Sequence, residues 1–144
     1  MGNNKIDVLI VDKNEDFYSF IADCIISEER EDVINLTICK DYKDIPYTNS
    51  FDIFVIGDYE NNEEKVLSII DHIRSQDQNY GSYIYVATEN INSDFLKNLI
   101  NKRIYGLIDK RDKDCGTLIE TIEKAHKTQT YVSYIKENIL KKIA

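Results

Sequence analysis

Short apolar runs alternate with amphipathic stretches along most of the chain, and the alternation predicts the elements. Ile6 to Val11 (IDVLIV) is β-branched and nearly continuous, the pattern of a strand buried on both faces. Asn14 stands where a helix cap is expected, ahead of a helix from Glu15 to about Ser27. Its apolar stripe is Phe17, Phe20, Ile21, Cys24 and Ile25. Ile34 to Cys39 predicts a second strand, and Lys40 to Ser50, which contains Pro46, has room for only a turn or two of helix. Asp52 to Ile56 (DIFVI) predicts a third strand that closes at Gly57-Asp58. Asn62, Glu63 and Glu64 then mark a helix start, with Val66, Leu67, Ile69, Ile70 and Ile73 carrying the helix to Arg74. Tyr83 to Ala87 is a fourth strand, and Ser93 to about Asn101 a helix with Phe95, Leu96, Leu99 and Ile100. Tyr105 to Ile108 is a fifth strand, followed by a helix with Leu118, Ile119 and Ile122 that runs to about Lys127.

Five such alternations demand a mostly parallel sheet with helices on both faces, because parallel neighbours need a crossover of helix length. Strands one and three have the longest apolar runs and are expected to be the most buried. No repeat or linker interrupts the chain before residue 128, so 1–128 reads as one domain and 129–144 as a tail helix or the start of a linker.

Composition narrows the classes. The chain has 144 residues, 42% hydrophobic and 31% charged, with one Pro and five Gly, which fits a single globular domain and excludes collagen-like or low-complexity readings. A net charge of −8 argues against nucleic-acid binding by this domain alone. No apolar run approaches the roughly 18 to 20 residues of a membrane span, and Asp7 and Asp12 break the N-terminal one, so neither a span nor a signal peptide is expected. Three cysteines (Cys24, Cys39, Cys115) without C-x-x-C spacing suggest reduced thiols and a cytoplasmic location rather than a disulfide framework. Cys24 and Cys39 read as core, Cys115 as a small residue near a helix start, and His72 and His126 as surface residues unsuited to a Cys/His zinc site. Charge is uneven: residues 1–100 hold 8 Lys+Arg against 20 Asp+Glu, and 101–144 hold 10 against 6. The C-terminal third is therefore either an ordinary solvated surface or a docking face for something acidic.

In an open parallel sheet the functional site lies beyond the carboxyl ends of the strands. Strand one ends in Asp12, strand three in Asp58, strand four in Thr88 and strand five in Lys110, so two carboxylates, a hydroxyl and an amine should converge on one crevice. With KIDVLIVDKNED, FVIGD, YVAT and YGLIDK in this order, the chain resembles the receiver domains of bacterial two-component response regulators over roughly residues 4 to 127. The resemblance implies a doubly wound, flavodoxin-like (βα)5 fold of strand order 2-1-3-4-5. It makes Asp58 the phosphoacceptor, Asp12 an acidic-pocket residue, Thr88 the hydroxyl that meets the phosphoryl group and Lys110 the cation that pairs with it. Mg²⁺ would be held by Asp12 and Asp58. Positive charge near the acceptor is what phosphoryl transfer to a carboxylate requires.

Several positions depart from the family's pattern. Lys13 stands where a second acid is usual. Tyr59-Glu60-Asn61-Asn62 replaces the usual Pro and Gly turn, Leu107 replaces the usual aromatic switch residue, Arg111 replaces a Pro, and the second helix is shortened. Replacing an acid by Lys13 removes an oxygen ligand and adds a cation, each unit of charge being worth roughly 2 to 4 kcal/mol at an effective dielectric near 20. Mg²⁺ is therefore expected to bind weakly, and Asp58 to be phosphorylated slowly or not at all, unless Glu60 or Glu15 supplies the missing oxygen. The tail from Thr130 to Ser133 followed by YIKENILKKIA resembles the segment after receivers that precede a helix-turn-helix domain.

The reading is an atypical signalling receiver, not an enzyme beyond self-phosphorylation and dephosphorylation at Asp58. Its expected partners are a sensor histidine kinase or another signalling protein, with homodimerisation through the 93–101 helix, the fifth strand and the last helix. Two alternatives stay open. One is a conventional phosphorylatable receiver of a transcription regulator whose DNA-binding domain is missing from this chain. The other is a flavodoxin-like binder of a small ligand, or an enzyme, although VDKNED has no glycine-rich phosphate cradle.

Overall fold

The structure, a computed structural model, describes residues 5–58, 63–89 and 93–126. Five strands, β1 (Ile6–Val11), β2 (Ile34–Cys39), β3 (Ile53–Gly57), β4 (Tyr83–Thr88) and β5 (Gly106–Asp109), form one sheet in the order β2-β1-β3-β4-β5. Every pair is parallel, as the alternation requires. The helices are α1 (Glu15–Ser27), α2 (Glu63–Ser75), α3 (Ser93–Asn101) and α4, described over 115–126. β3 is buried at every position, and β1 and β4 at all but one each, because apolar layers cover both faces. Observed ends differ from the expected ones by a residue: β3 and β5 each start and end one later, and β4 extends through Thr88.

The two faces are separate cores. Ile6, Val8, Ile10, Val55, Tyr85 and Ala87 meet Phe17, Ile21, Cys24 and Ile25 of α1 and Leu118, Ile119 and Ile122 of α4. On the other side Leu9, Val11, Phe54, Ile56 and Val86 meet Val66, Ile69, Ile70 and Ile73 of α2 and Phe95 and Leu99 of α3. Asn14 caps α1 as expected, its side chain accepting from the N–H groups of Asp16 and Phe17. Asn62, the expected start of α2, and the tail 129–144 lie outside the described residues.

Between β2 and β3 a single 3₁₀ turn, Tyr42–Asp44, stands in place of a second helix. The segment still closes the core: Ile45 is buried, Lys65 lies 3.7 Å over the Tyr42 ring, and Tyr47 stacks on His72 at 3.8 Å. Its return is pinned by Asn79, fully buried, whose amide donates to the carbonyls of Tyr47 and Asn49 while its oxygen accepts from the Phe51 N–H. His72 is exposed as expected; His126 is half-buried.

One expectation is overturned. Cys24 and Cys115 are joined in a disulfide, and only Cys39 is free, buried and donating its S–H to the Asp41 carbonyl. Parity and local spacing carry no trace of this pairing, which arises because α1 and α4 pack side by side and bring two residues 91 apart in sequence to a Cα–Cα distance of 5.0 Å.

Candidate functional site

The four polar residues at the strand ends do converge. Sheet registry decides this: Val11 pairs with Ile56, Gly57 with Ala87 and Thr88 with Asp109, so the residues that follow or end the strands sit side by side. Backbone bonds extend the pairing past the strands, from the Asp12 N–H to the Cys39 carbonyl (3.1 Å), from Asp58 to Ala87 (3.0 Å) and from Lys110 to Thr88 (3.1 Å).

Lys110 is the centre. Its Nζ lies 2.7 Å from Asp12 Oδ2 and 2.9 Å from Asp58 Oδ1, with both Lys110 and Asp12 buried and the Asp58 side chain partly open to solvent. Thr88, buried, donates from Oγ1 to Asp58 Oδ2 at 3.0 Å. The other Asp12 oxygen accepts from the Asn14 N–H at 2.9 Å, which locks the carboxylate to the turn that starts α1. Burial, the largest single influence, pulls the Lys110 ammonium's pKa down. The Asp12 and Asp58 carboxylates together outweigh it, and the result lies above the ordinary lysine value. Lys110 is thus a fixed cation between two carboxylates, one of which faces water.

Two further residues shape the site and were read differently from the sequence. Phe17, taken only as part of the core stripe, also lies under the ammonium, its ring centroid 5.1 Å from Lys110 Nζ. Gly57 was read only as a strand end. A Cβ there would stand 2.0 Å from Asp12 Oδ2, so the buried carboxylate occupies the space a side chain would take. A glycine immediately before a strand-end acid was the one available signal.

The departures fall as follows. Lys13 and Glu15 are both exposed, Glu15 opening α1, while Tyr59 to Asn62, and with them Glu60, lie outside the described residues. Leu107 is half-buried on β5 and packs with the α2–α3 core. Arg111 is exposed and pairs with Asp109 at 3.2 Å.

A divalent ion such as Mg²⁺ asks for about six oxygens in near-octahedral array. The described residues offer Asp12 and Asp58, both already against Lys110, and no group of three His, Cys, Asp or Glu among them is placed to hold a metal. Asp12 Oδ2 is buried, and its partner is the Lys110 ammonium at 2.7 Å. The cation already occupies the place a metal would take on that oxygen, and two carboxylates fall short of a magnesium set.

No family model and no curated protein matches the sequence. Among solved structures, the fold is that of the response-regulator receivers. An orphan response regulator of H. pylori matches with a TM-score of 0.68 at 17% identity, over 85% of this chain and 97% of that one. A CheY-like receiver domain protein of Methanospirillum hungatei matches with a TM-score of 0.71 at 14% identity, over 88% and 98%. A putative pilus assembly-related protein of Burkholderia pseudomallei matches with a TM-score of 0.68 at 14% identity, over 85% and 90%. The five-stranded order 2-1-3-4-5, expected from the resemblance, is therefore shared with these structures. No helix among the described residues is long and apolar enough to cross a membrane.

Proposed function

We propose that this chain is a receiver-type signalling module that works through contacts with other proteins, with Mg²⁺-dependent phosphorylation of Asp58 impaired. The observation that carries the reading is Lys110 held between Asp12 and Asp58 at 2.7 and 2.9 Å while Lys13 occupies the place of a further acid. Asp58 is the one carboxylate of the pair open to a donor. Thr88 and Lys110 already bond its two oxygens, and both groups would follow those oxygens, or a phosphoryl group attached to one of them. Their bonds engage the oxygen lone pairs that would attack phosphorus and make the carboxylate a weaker nucleophile. Lys13 is exposed, so its own charge is screened by water to about 1 kcal/mol at contact distance. The heavier loss is the oxygen ligand that an acid there would have given.

The surface assigned to partners, a sensor kinase, another signalling protein or a second copy, is that of α3, β5 and α4. Between β5 and α4 it carries a crevice of about 220 Å³ lined by Leu107, Ile108, Asp112, Asp114, Thr117 and Leu118. The flavodoxin-like ligand-binding alternative finds less support. The N–H groups of Asp16 and Phe17, where a phosphate would sit on α1, are taken by the Asn14 side chain, and Glu15 and Asp16 add negative charge. A cytoplasmic location goes with this reading.

The test is a small phosphodonor with Mg²⁺, followed by intact mass, together with Mg²⁺ titration of wild type and Lys13→Asp. Wild type should take up little phosphoryl group, and Lys13→Asp should bind Mg²⁺ at least about tenfold more tightly, the equivalent of one lost ligand. Millimolar-or-better binding by wild type with rapid modification of Asp58 would refute the impairment. It would leave the conventional receiver.

A further inference from the structure

We infer that Cys24 and Cys115 are a reversible thiol–disulfide couple, with Cys115 the sulfur that exchanges with small thiols and disulfides. The inference is independent of whether Asp58 is phosphorylated. It rests on the pairing, on the unequal surroundings of the two sulfurs, and on what holds the helices together besides the bridge.

Cys24 is fully buried in the C-terminal third of α1, whereas Cys115 is half-buried at the first position of α4. Asp114 is the cap there, its carboxylate accepting from the Thr117 N–H at 3.1 Å and its carbonyl from the Leu118 N–H at 3.1 Å. A thiol at the first position of a helix meets the positive end of the helix dipole, which favours the thiolate. Lys113 adds a cation on the same side. Its Nζ lies 5.0 Å over the ring of Phe20, one turn from Cys24 on α1. Asp112, Asp114 and Glu28 oppose it, but Asp112 and Asp114 are exposed, and Asp114 is engaged as the cap. The entering sulfur is thus the accessible one at the helix N-terminus, and the buried one resolves.

Reversibility requires that the dithiol state stay folded with the sulfurs in place. The α1–α4 contact does not depend on the bridge. Ile21 and Ile25 pack into the same core as Leu118, Ile119 and Ile122, and Arg30 ion-pairs with the buried Glu123 at 2.5 Å. The step balances without any further reagent class. The Cys115 thiolate attacks one sulfur of a low-molecular-weight disulfide, whose S–S bond breaks and releases one small thiolate. The Cys24 thiolate then attacks Cys115 Sγ and releases the second. Two electrons pass from the protein to the small disulfide, and the two thiol protons end on the released small thiols or in water. A dithiol of higher reducing power reverses the sequence, which is how a bridge in a reducing compartment is ordinarily used.

The couple is placed to matter for the site. α1 begins three residues after Asp12 and α4 five after Lys110, so the bridge joins the two helices that follow the Asp12–Lys110 pair, at the start of α4 and nine residues into α1.

The experiment is a redox titration of the full chain at defined ratios of reduced to oxidised glutathione. Free thiols are trapped by alkylation and counted by intact and peptide mass, and amide hydrogen exchange is read on both end states. The expected result is a single transition in which two thiols, Cys24 and Cys115, are lost to alkylation as glutathione is oxidised. Cys39 should be unchanged, and exchange over 12–14 and 110–114 faster in the reduced form. Cys24→Ala should stop at a glutathione adduct on Cys115, whereas Cys115→Ser should form neither bridge nor adduct. Because the wild-type dithiol is itself one end state, the outcome does not depend on either variant folding. A bridge absent at every ratio, one that persists at the most reducing ratio, an adduct on Cys24 in the Cys115→Ser protein, or equal exchange in the two states would each overturn the inference.

Discussion

Gly57→Ala is a substitution that ordinarily helps a strand. Alanine has less freedom to lose on folding, and where the backbone is not left-handed the exchange stabilises by roughly 0.4 to 1 kcal/mol. Here the added Cβ would stand 2.0 Å from Asp12 Oδ2 and 2.3 Å from its Cγ, against a floor of 3.0 Å for such contacts, so the carboxylate must retreat by at least about 1 Å. It cannot do so freely. Its Oδ1 is bonded to the Asn14 N–H at 2.9 Å, and its Oδ2 is the nearer partner of a buried ammonium. Breaking a buried ion pair costs roughly 3 to 5 kcal/mol. Lys110 retains Asp58, so the net loss expected is about 2 to 4 kcal/mol, opposite in sign to the usual effect.

Urea unfolding at pH 7 measures it, and a double-mutant cycle isolates the cause. An Asp12→Ala background removes the three atoms nearest that Cβ, and Gly57→Ala should there become neutral or stabilising, a coupling of at least about 2 kcal/mol. A Gly57→Ala protein as stable as wild type, or one that loses the same amount with and without Asp12, would refute the reasoning.

Three further outcomes follow from the same contacts. Arg74→Ala should cost roughly 2 to 4 kcal/mol in urea unfolding, because Arg74 donates to the carbonyls of Tyr80 (2.9 Å), Ser82 (2.6 Å) and Arg103 (3.0 Å) and joins two loops whose carbonyls would lose their donor. Stability should begin to fall near pH 9, where the Cys39 thiol ionises in the unfolded chain but is held protonated by burial, and fall further above pH 10, since Lys110 and Tyr85 also have raised pKa values in the fold. A raised value gives stability that is complete below the unfolded pKa and lost as pH rises through the folded one; Tyr85→Phe should make the fall shallower. With Leu107 packed in the α2–α3 core, amide signals of Ser93–Asn101 should shift little on adding a phosphoryl mimic, as nuclear magnetic resonance would record.

The sequence showed most of the fold because each strand is either a continuous apolar run or closed by a polar residue, and each helix carries a stripe of period 3.6. Asp12, Asp58, Thr88 and Lys110 were legible for the same reason: in a parallel sheet, strand-end positions are adjacent whatever the loops do. What was not legible depends on distances between elements. Cys24 and Cys115 meet only because α1 and α4 lie on the same face. Gly57 carries meaning only once β1 and β3 are in register, and Phe17 serves the core and Lys110 at once because its ring lies between them. Residues 40–50 showed, through Pro46, room for only a turn or two of helix, but not that Tyr42, Ile45 and Tyr47 would cover the sheet in place of a longer one.

The two carboxylates and Lys110 set up a competition that can be measured directly. A buried carboxylate needs a cation close by, and Lys110 supplies it at 2.7 Å from Asp12 Oδ2. Lys110→Met keeps the length and the apolar stem over Phe17 but removes that cation. It leaves Asp12 uncompensated and Asp58 with only Thr88, which should cost roughly 3 to 5 kcal/mol in urea unfolding at neutral pH. The same change opens the space between the two carboxylates to another cation. Added Mg²⁺ should therefore restore part of the lost stability in Lys110→Met while moving wild type much less, since ligand that binds only the folded state stabilises by its own affinity. Carrying Asp12→Asn in the Lys110→Met protein should abolish the rescue and recover stability without metal, because the amide needs no counter-charge. If Mg²⁺ stabilises wild type as much as Lys110→Met, Lys110 does not stand in the way of a divalent ion, and the weak-metal reading of this pocket fails with it.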